Sequence, residues 1–211
     1  MILTRVKLDT DKRQALKALA NRNVCHGIVE SSQTGERERL LWRIDRLRSG
    51  YYLLILSRHG LDHSKLAQEL AASPENVESK NYQSLLNRAV SGSTWNFRLA
   101  ANPTFSIRTE DGDRGKVISP YQEDRQMEWL RKQAEKFGFR LDAVAITGTC
   151  RLLIKKATQS KRVSLQEVIY EGVLTVTDTD LFRTALTDGI GRGKAYGMGL
   201  LTLMAYYGKP D

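Results

Sequence analysis

The 211-residue sequence predicts an α+β protein built from two tandem ferredoxin-like (βαββαβ) units. Two observations lead there. The periodicity of apolar residues runs strand, helix, strand, strand, helix, strand through the first part of the chain, and the same order returns after the Ser/Gly-bearing stretch VSGSTW. The length suits one large domain or two of about 100 residues each. A hydrophobic fraction of 41% is enough to fill real cores. We place the units at residues 1–90 and 93–211.

In the first unit, ILTRVKLD alternates Ile2, Thr4, Val6 and Leu8 against Leu3, Arg5 and Lys7, the pattern of a strand. DKRQALKALA follows with Ala15, Leu16 and Leu19 on one helical stripe, and Asn21 reads as the N-cap of a second helical piece, NVCHGIVESS. RERLLWRIDR and YYLLILS flank the turn RSG as two strands. HSKLAQELAA is a helix that ends at Ser73-Pro74, and ENVESKNYQSLL holds a weakly patterned fourth strand.

In the second unit, WNFRLAANP puts Trp95, Phe97 and Leu99 on one strand face. EDRQMEWLRKQAEKFGF spaces Met127, Leu130 and Ala134 three and four apart, as a helix does. FRLDAVAITG and CRLLIKKA read as two strands, and RVSLQEVIYEGVLTVTD as a long extended run. LFRTALTDG is a short helix closed by Gly189, and LLTLMAYY is the last strand; the scheme leaves room for one extra hairpin.

Charge narrows the function. There are 33 Lys+Arg against 24 Asp+Glu, a net charge of +9. Such a balance points to a polyanion, either nucleic acid or an anionic membrane surface, although a merely solvated basic face has the same composition. No stretch approaches the roughly 18–20 apolar residues of a membrane span, and MILTRVKLDT is neither a signal nor a transit peptide. A cytoplasmic location is expected. Cys25 and Cys150 lack metal-ligand spacing and are expected to be reduced, half-buried and structural. Asp111 and Asp113 fall in a surface turn, TEDGDRGK, while Asp178 and Asp180 read as helix caps. No metal and no small-molecule cofactor is expected.

The most informative stretch is GIGRGKAYGMG, residues 189–199. It is not a P-loop, because Gly193-Lys194 is followed by Ala195 and no glycine stands five positions before Gly193. Nor is it a dinucleotide fingerprint, since it gives G-x-G-x-G and joins a helix to a strand. What remains is a glycine–apolar–glycine triplet, five residues, and a second such triplet. Glycines such as Gly191 and Gly193 let a backbone approach a ligand closely, and Arg192 and Lys194 supply charge suited to phosphate oxygens. A tight connection with incidental cations is the other reading.

That spaced pattern resembles the glycine-rich loop of the CRISPR repeat-processing endoribonucleases, which are tandem ferredoxin-like proteins. RERLLWRID (37–45), FRLAANPT (97–104) and YEGVLTVTD (170–178) sharpen the resemblance to the Cascade-associated CasE branch. With His26 included, it runs from the first strand to the last. The resemblance implies cleavage of CRISPR repeat RNA at the base of its stem-loop, without metal, by attack of the 2′-OH to leave a 2′,3′-cyclic phosphate and a 5′-OH. It also implies that the product stays bound, with the protein a subunit of Cascade. A stem-loop RNA-binding protein without catalysis is the alternative.

Metal-free cleavage needs proton transfer, for which histidine, with a reference pKa of about 6.5, is suited. The chain offers His26, His59 and His63. His59 and His63 frame the turn RHGLDH, where solvated or capping roles fit, whereas the resemblance assigns His26 the catalytic role. Some relatives carry a tyrosine three residues before that histidine and a basic residue after it; here Asn23 and GIVESSQT stand there, and Ser31 and Ser32 are candidate phosphate contacts. Arg151, Lys155, Lys156, Lys161 and Arg162 surround the tip of a predicted hairpin. The family uses a basic hairpin there to grip the RNA stem, so Lys155, Lys156, Lys161 and Arg162, with Arg192, Lys194, Gly191 and Gly193, form the expected RNA contact. Arg37, Arg39, Arg43 and Arg46 form a second basic cluster, partly structural and partly positive surface, with the first three expected on one strand face and Arg46 off it.

Overall fold

Alternating apolar residues form β1 (Ile2–Lys7), one of the two inner strands of the first sheet, in a computed structural model that describes residues 1–107, 116–155 and 162–208. The chain continues through α1 (Arg13–Ala20), α2 (Arg22–Ser31), β2 (Leu41–Leu47), β3 (Gly50–Ser57), α3 (His63–Leu70), β4 (Val77–Asn81) and the short α4 (Gln83–Leu86). The sheet order is β2-β3-β1-β4, with every neighbouring pair antiparallel. Val6 stands opposite Leu53, and Ile55 opposite both Thr4 and Trp42, so these residues share the face that the helices cover. Cys25, Ile28 and Val29 of α2 and Leu66 and Leu70 of α3 complete that core.

Of the stripe expected on α1, Ala15 and Leu19 pack on the core and Leu16 does not. Ala15 and Ala18 are buried, while Leu16 is 49% exposed. The inward row runs i, i+3 through two alanines, whose small side chains let α1 lie close to its neighbours. The basic row also needs correction. β2 begins only at Leu41, so Arg37 and Arg39 are not on the strand, and Arg37 instead pairs with Glu30 at 3.1 Å. Arg43 is 2% exposed and makes two 2.8 Å bonds to Asp45, itself 6% exposed. Two residues apart on one strand, the two side chains share a face, and pairing lets both stay out of water.

The second sheet repeats the first. Its elements are β5 (Thr94–Ala101), the small β6 (Phe105–Ile107) and β7 (Lys116–Ile118) hairpin, α5 (Glu123–Lys136), β8 (Phe139–Lys155), β9 (Arg162–Val176), α6 (Thr179–Asp188) and β10 (Leu201–Ala205). The order β10-β5-β9-β8 again sets the unit's fourth strand beside its first, then its third and second. Trp95, Phe97 and Leu99 are buried as expected, opposite Ala205, Leu203 and Leu201. On α5 the core row is Gln126, Trp129, Leu130 and Ala134, with Met127 half-buried beside it. Trp129 stacks on Tyr170 at 6.2 Å, and the Tyr170 hydroxyl donates to the Gln126 carbonyl at 2.9 Å. FRLDAVAITG and CRLLIKKA prove to be one 17-residue strand. Gly148 lies opposite Ile169 within it, which thins the strand without ending it. Asp178 caps α6 by accepting from the Asp180 and Leu181 amides at 3.0 and 2.9 Å.

The chain divides into two compact units. One comprises Met1–Asn87, Ile154–Arg162 and Lys194–Gly197; the other comprises Arg88–Leu153, Val163–Gly193 and Met198–Asp211. No helix among the described residues is long and apolar enough to cross a membrane.

The buried Arg43–Asp45 pair gives a direct test. Asp45→Ala strands a buried guanidinium without its carboxylate and is expected to cost about 3–5 kcal/mol, read as a lowered urea midpoint. The double change Arg43→Met with Asp45→Leu removes both charges and should cost far less.

Candidate active site

His26 owes its place to the break between α1 and α2. Asn21 is extended (φ −138°), so the helix stops there, and its side chain then accepts from the Asn23 amide at 2.9 Å to start α2. Cys25, Ile28 and Val29 turn inward, which leaves Arg22 and His26, one helical turn apart, on a common face. At the far end Lys65 Nζ donates to the Ser31 carbonyl at 3.0 Å, putting a cation at the helix C-terminus. His26 is half-buried, and its Nδ1 is enclosed without a hydrogen-bond partner among the described residues.

The other two histidines sit elsewhere in the unit. His63 Nε2 is 2.8 Å from Ser79 Oγ, and the cap of α3 is Asp62, which accepts from the Lys65 amide at 2.9 Å. His59 is exposed beside Gly35. Ser32 is fully buried and its hydroxyl donates to the Val29 carbonyl at 2.8 Å, so it is turned back into the helix and not toward a phosphate. Ser31 makes the same kind of bond to Ile28 at 3.1 Å but remains exposed.

The glycine-rich loop has a packing logic that its spacing only hinted at. Gly189, Gly191, Gly193, Gly197 and Gly199 all have positive φ. The apolar residues between them, Ile190 and Met198, are fully buried. The Ile190 amide donates to the Gly199 carbonyl at 2.9 Å, and the Gly199 amide to Ala100 at 2.7 Å, which ties the two triplets together and to β5. A Cβ on Gly191 would lie 2.8 Å from the Trp129 ring. Gly193 lies against Met198, so both glycines expected to meet RNA are pressed onto the protein's own side chains. Arg192 is exposed and Lys194 half-buried.

Sequence reasoning missed what the middle of this loop does. Lys194–Tyr196 forms a single 3-10 turn that belongs to the first unit, where it lies against α2 and β2. Gly197 follows it. A Cβ there would come within 2.7 Å of the Trp42 ring and 3.1 Å of Arg22 Nη1. The signal available in the sequence was Arg22 itself, a cation four residues before His26.

Lys156 and Lys161, like Asp111 and Asp113, lie outside the described residues. Lys155 and Arg162 hold the last position of β8 and the first of β9. Exposed Arg151 donates to Ser164 Oγ at 2.8 Å. Among the described residues no group of three or more His, Cys, Asp or Glu side chains could hold a metal ion.

The fold and this loop define a class: tandem ferredoxin-like proteins whose last strand is entered through a glycine-rich connection. The chain belongs to the CRISPR-associated protein family, whose sequence model matches residues 1–204. It is 28% identical over 225 residues to the CRISPR-associated endoribonuclease Cse3 of Thermus thermophilus, spanning 96% of this chain and 99% of Cse3. The solved structure of Thermus thermophilus Cse3 bound to an RNA representing a pre-cleavage complex matches with a TM-score of 0.82 at 28% identity, covering 96% of this chain and 98% of that one. Cas6e from Escherichia coli shares the fold with a TM-score of 0.69 at 19% identity, over 98% of this chain and all of its own.

Neither cysteine is half-buried as expected. Cys25 is buried and Cys150 exposed, both free, and burial pushes the Cys25 thiol up to about 12 while the nearby Arg22 charge pulls it partly back. At pH 8 one thiol of the native protein should therefore react with a disulfide reagent, that of Cys150. The second should appear only on unfolding.

Proposed function

We propose that this chain is a metal-independent endoribonuclease that cleaves CRISPR precursor RNA at the base of the repeat stem-loop and stays bound to the product. The likeness to Cse3 along nearly the whole of both chains carries this reading. In the reaction, the 2′-oxygen loses its proton and attacks the adjacent phosphorus. The bond from phosphorus to the 5′-oxygen breaks, and that oxygen takes up a proton. The products are a 2′,3′-cyclic phosphate and a 5′-OH. His26 carries one of the two proton transfers. Its Nδ1 is enclosed, so we assign the transfer to Nε2. Proton transfer of this kind contributes about 10²–10⁴-fold.

Residues 1–90 supply the catalytic unit and 93–211 the RNA grip. Lys155, Lys156, Lys161 and Arg162 hold the stem through its phosphates. The deep, narrow major groove of A-form RNA keeps side chains from reading bases there, so stem shape and backbone charge dominate. Arg192 and Lys194, with Gly191 and Gly193, are the other residues we assign to RNA contact. The other partners are the subunits of Cascade, in the cytoplasm.

Two measurements test this. With EDTA present, the wild type should cleave repeat RNA, while His26→Ala, or a substrate lacking the 2′-OH at the cut, should be slower by about 100-fold or more. Undiminished cleavage by His26→Ala with intact RNA binding sinks the catalytic assignment, and loss of wild-type cleavage in EDTA sinks the metal-free mechanism. Binding should weaken with salt, log K falling against log salt with a slope of about −3.5 to −4.5 for some five neutralised phosphates. A flat response removes the basic hairpin as the grip.

A further inference from the structure

Arg22 has no role in the reaction as described, yet it occupies a constrained place in the first unit. Its guanidinium lies over the Trp42 ring, 5.8 Å from the centroid, and Trp42 itself has no exposed surface. Against the same ring and the same guanidinium comes the backbone at Gly197, with φ +81° and no room for a side chain. Arginine, tryptophan and glycine interlock, and the turn Lys194–Tyr196 that precedes the glycine is laid against α2 and β2. His26 stands one turn further along α2 on the face that carries Arg22. The charge of Arg22 is felt inside the helix, where it opposes the effect of burial on the Cys25 thiol.

We propose that Arg22 is a positioning residue of the His26 site: clamped on Trp42, it fixes the Lys194–Gly197 turn against α2 and so sets where Lys194 and Tyr196 lie relative to the imidazole. The inference rests on the nuclease reading, in which Lys194 holds a phosphate. It gives α2 of this chain a fixed neighbour although Asn23 stands where some relatives have a tyrosine. A lysine could keep the charge at position 22, but its single ammonium does not reproduce the broad guanidinium that reaches both the Trp42 ring and the backbone at Gly197. A displacement of about 1 Å between reacting groups costs on the order of 100-fold in rate.

The test is single-turnover cleavage of repeat RNA by Arg22→Ala, Arg22→Lys, Gly197→Ala and the Arg22→Ala/Gly197→Ala double variant, with RNA affinity and thermal unfolding measured on the same samples. Each single alanine variant should cleave about 100-fold more slowly with affinity nearly unchanged. The double variant should be no slower than the worse single one, because both release the same turn. Arg22→Lys should recover only part of the rate. Full-rate cleavage by Arg22→Ala, a loss confined to RNA affinity, full recovery by lysine, or single losses that simply multiply would each overturn the proposal. Should Arg22→Ala fail to fold, Gly197→Ala and Arg22→Lys decide it by the same rate and affinity criteria. The underlying reading fails separately, through an inactive wild type or a fully active His26→Ala. An active wild type and a dead His26→Ala beside a full-rate Arg22→Ala sink this inference alone.

Discussion

The indole of Trp42 is the contact on which the arrangement of the first unit turns. It stands on the helix-covered face of the sheet, opposite Ile55 and within the apolar core, yet it also receives Arg22 and the Gly197 backbone. A large flat ring is needed for that. It supplies area to the core on one side and a face that tolerates a cation on the other. The glycine is the necessary complement, since any Cβ at position 197 would overlap the ring. One residue of β2 thus ties a core, a helix and a loop from the far end of the chain into one local structure.

The two sheets share a strand order but spend their sequences differently. The first unit divides its first helix at Asn21, which ends α1 with an extended backbone and caps α2 with its side chain. That division frees α2 to present Arg22 and His26 while Cys25, Ile28 and Val29 hold it to the core. The second unit keeps its first helix whole in α5, and lengthens its middle hairpin to strands of 17 and 15 residues. In the proposed division of labour, the broken helix serves chemistry and the long hairpin serves binding.

How much of this was legible in the sequence depended on the range of the interaction. Strands with a period of two, such as Trp95-Phe97-Leu99, and local caps such as Asn21 and Asp178 could be read directly, because neighbouring residues determine them. On α1, Ala15 and Leu19 were read correctly, while Leu16, the more apolar choice, gives its place in the core to Ala18. Of the two readings open for the arginine row, Arg43 takes the structural one, because an i, i+2 carboxylate, Asp45, makes it half of a buried ion pair. The break expected within β8 was a glycine passing through an extended strand. Arg22, a cation four residues before His26, was the one visible sign of the Arg22–Trp42–Gly197 contact, which joins three distant segments and so could not be assembled from local pattern.

The glycine-rich loop shows why a motif can identify a family and still mislead about its own job. Five positive-φ glycines suggested a backbone bared for a ligand, but the described packing accounts for three of them without one: Gly191 faces Trp129, Gly193 faces Met198, and Gly197 faces Trp42. Ile190 and Met198 fill the interior between them. At those three positions the absence of a side chain is a packing requirement within each unit. On the proposed reading, the loop's share of RNA recognition then rests on side chains, exposed Arg192 and half-buried Lys194.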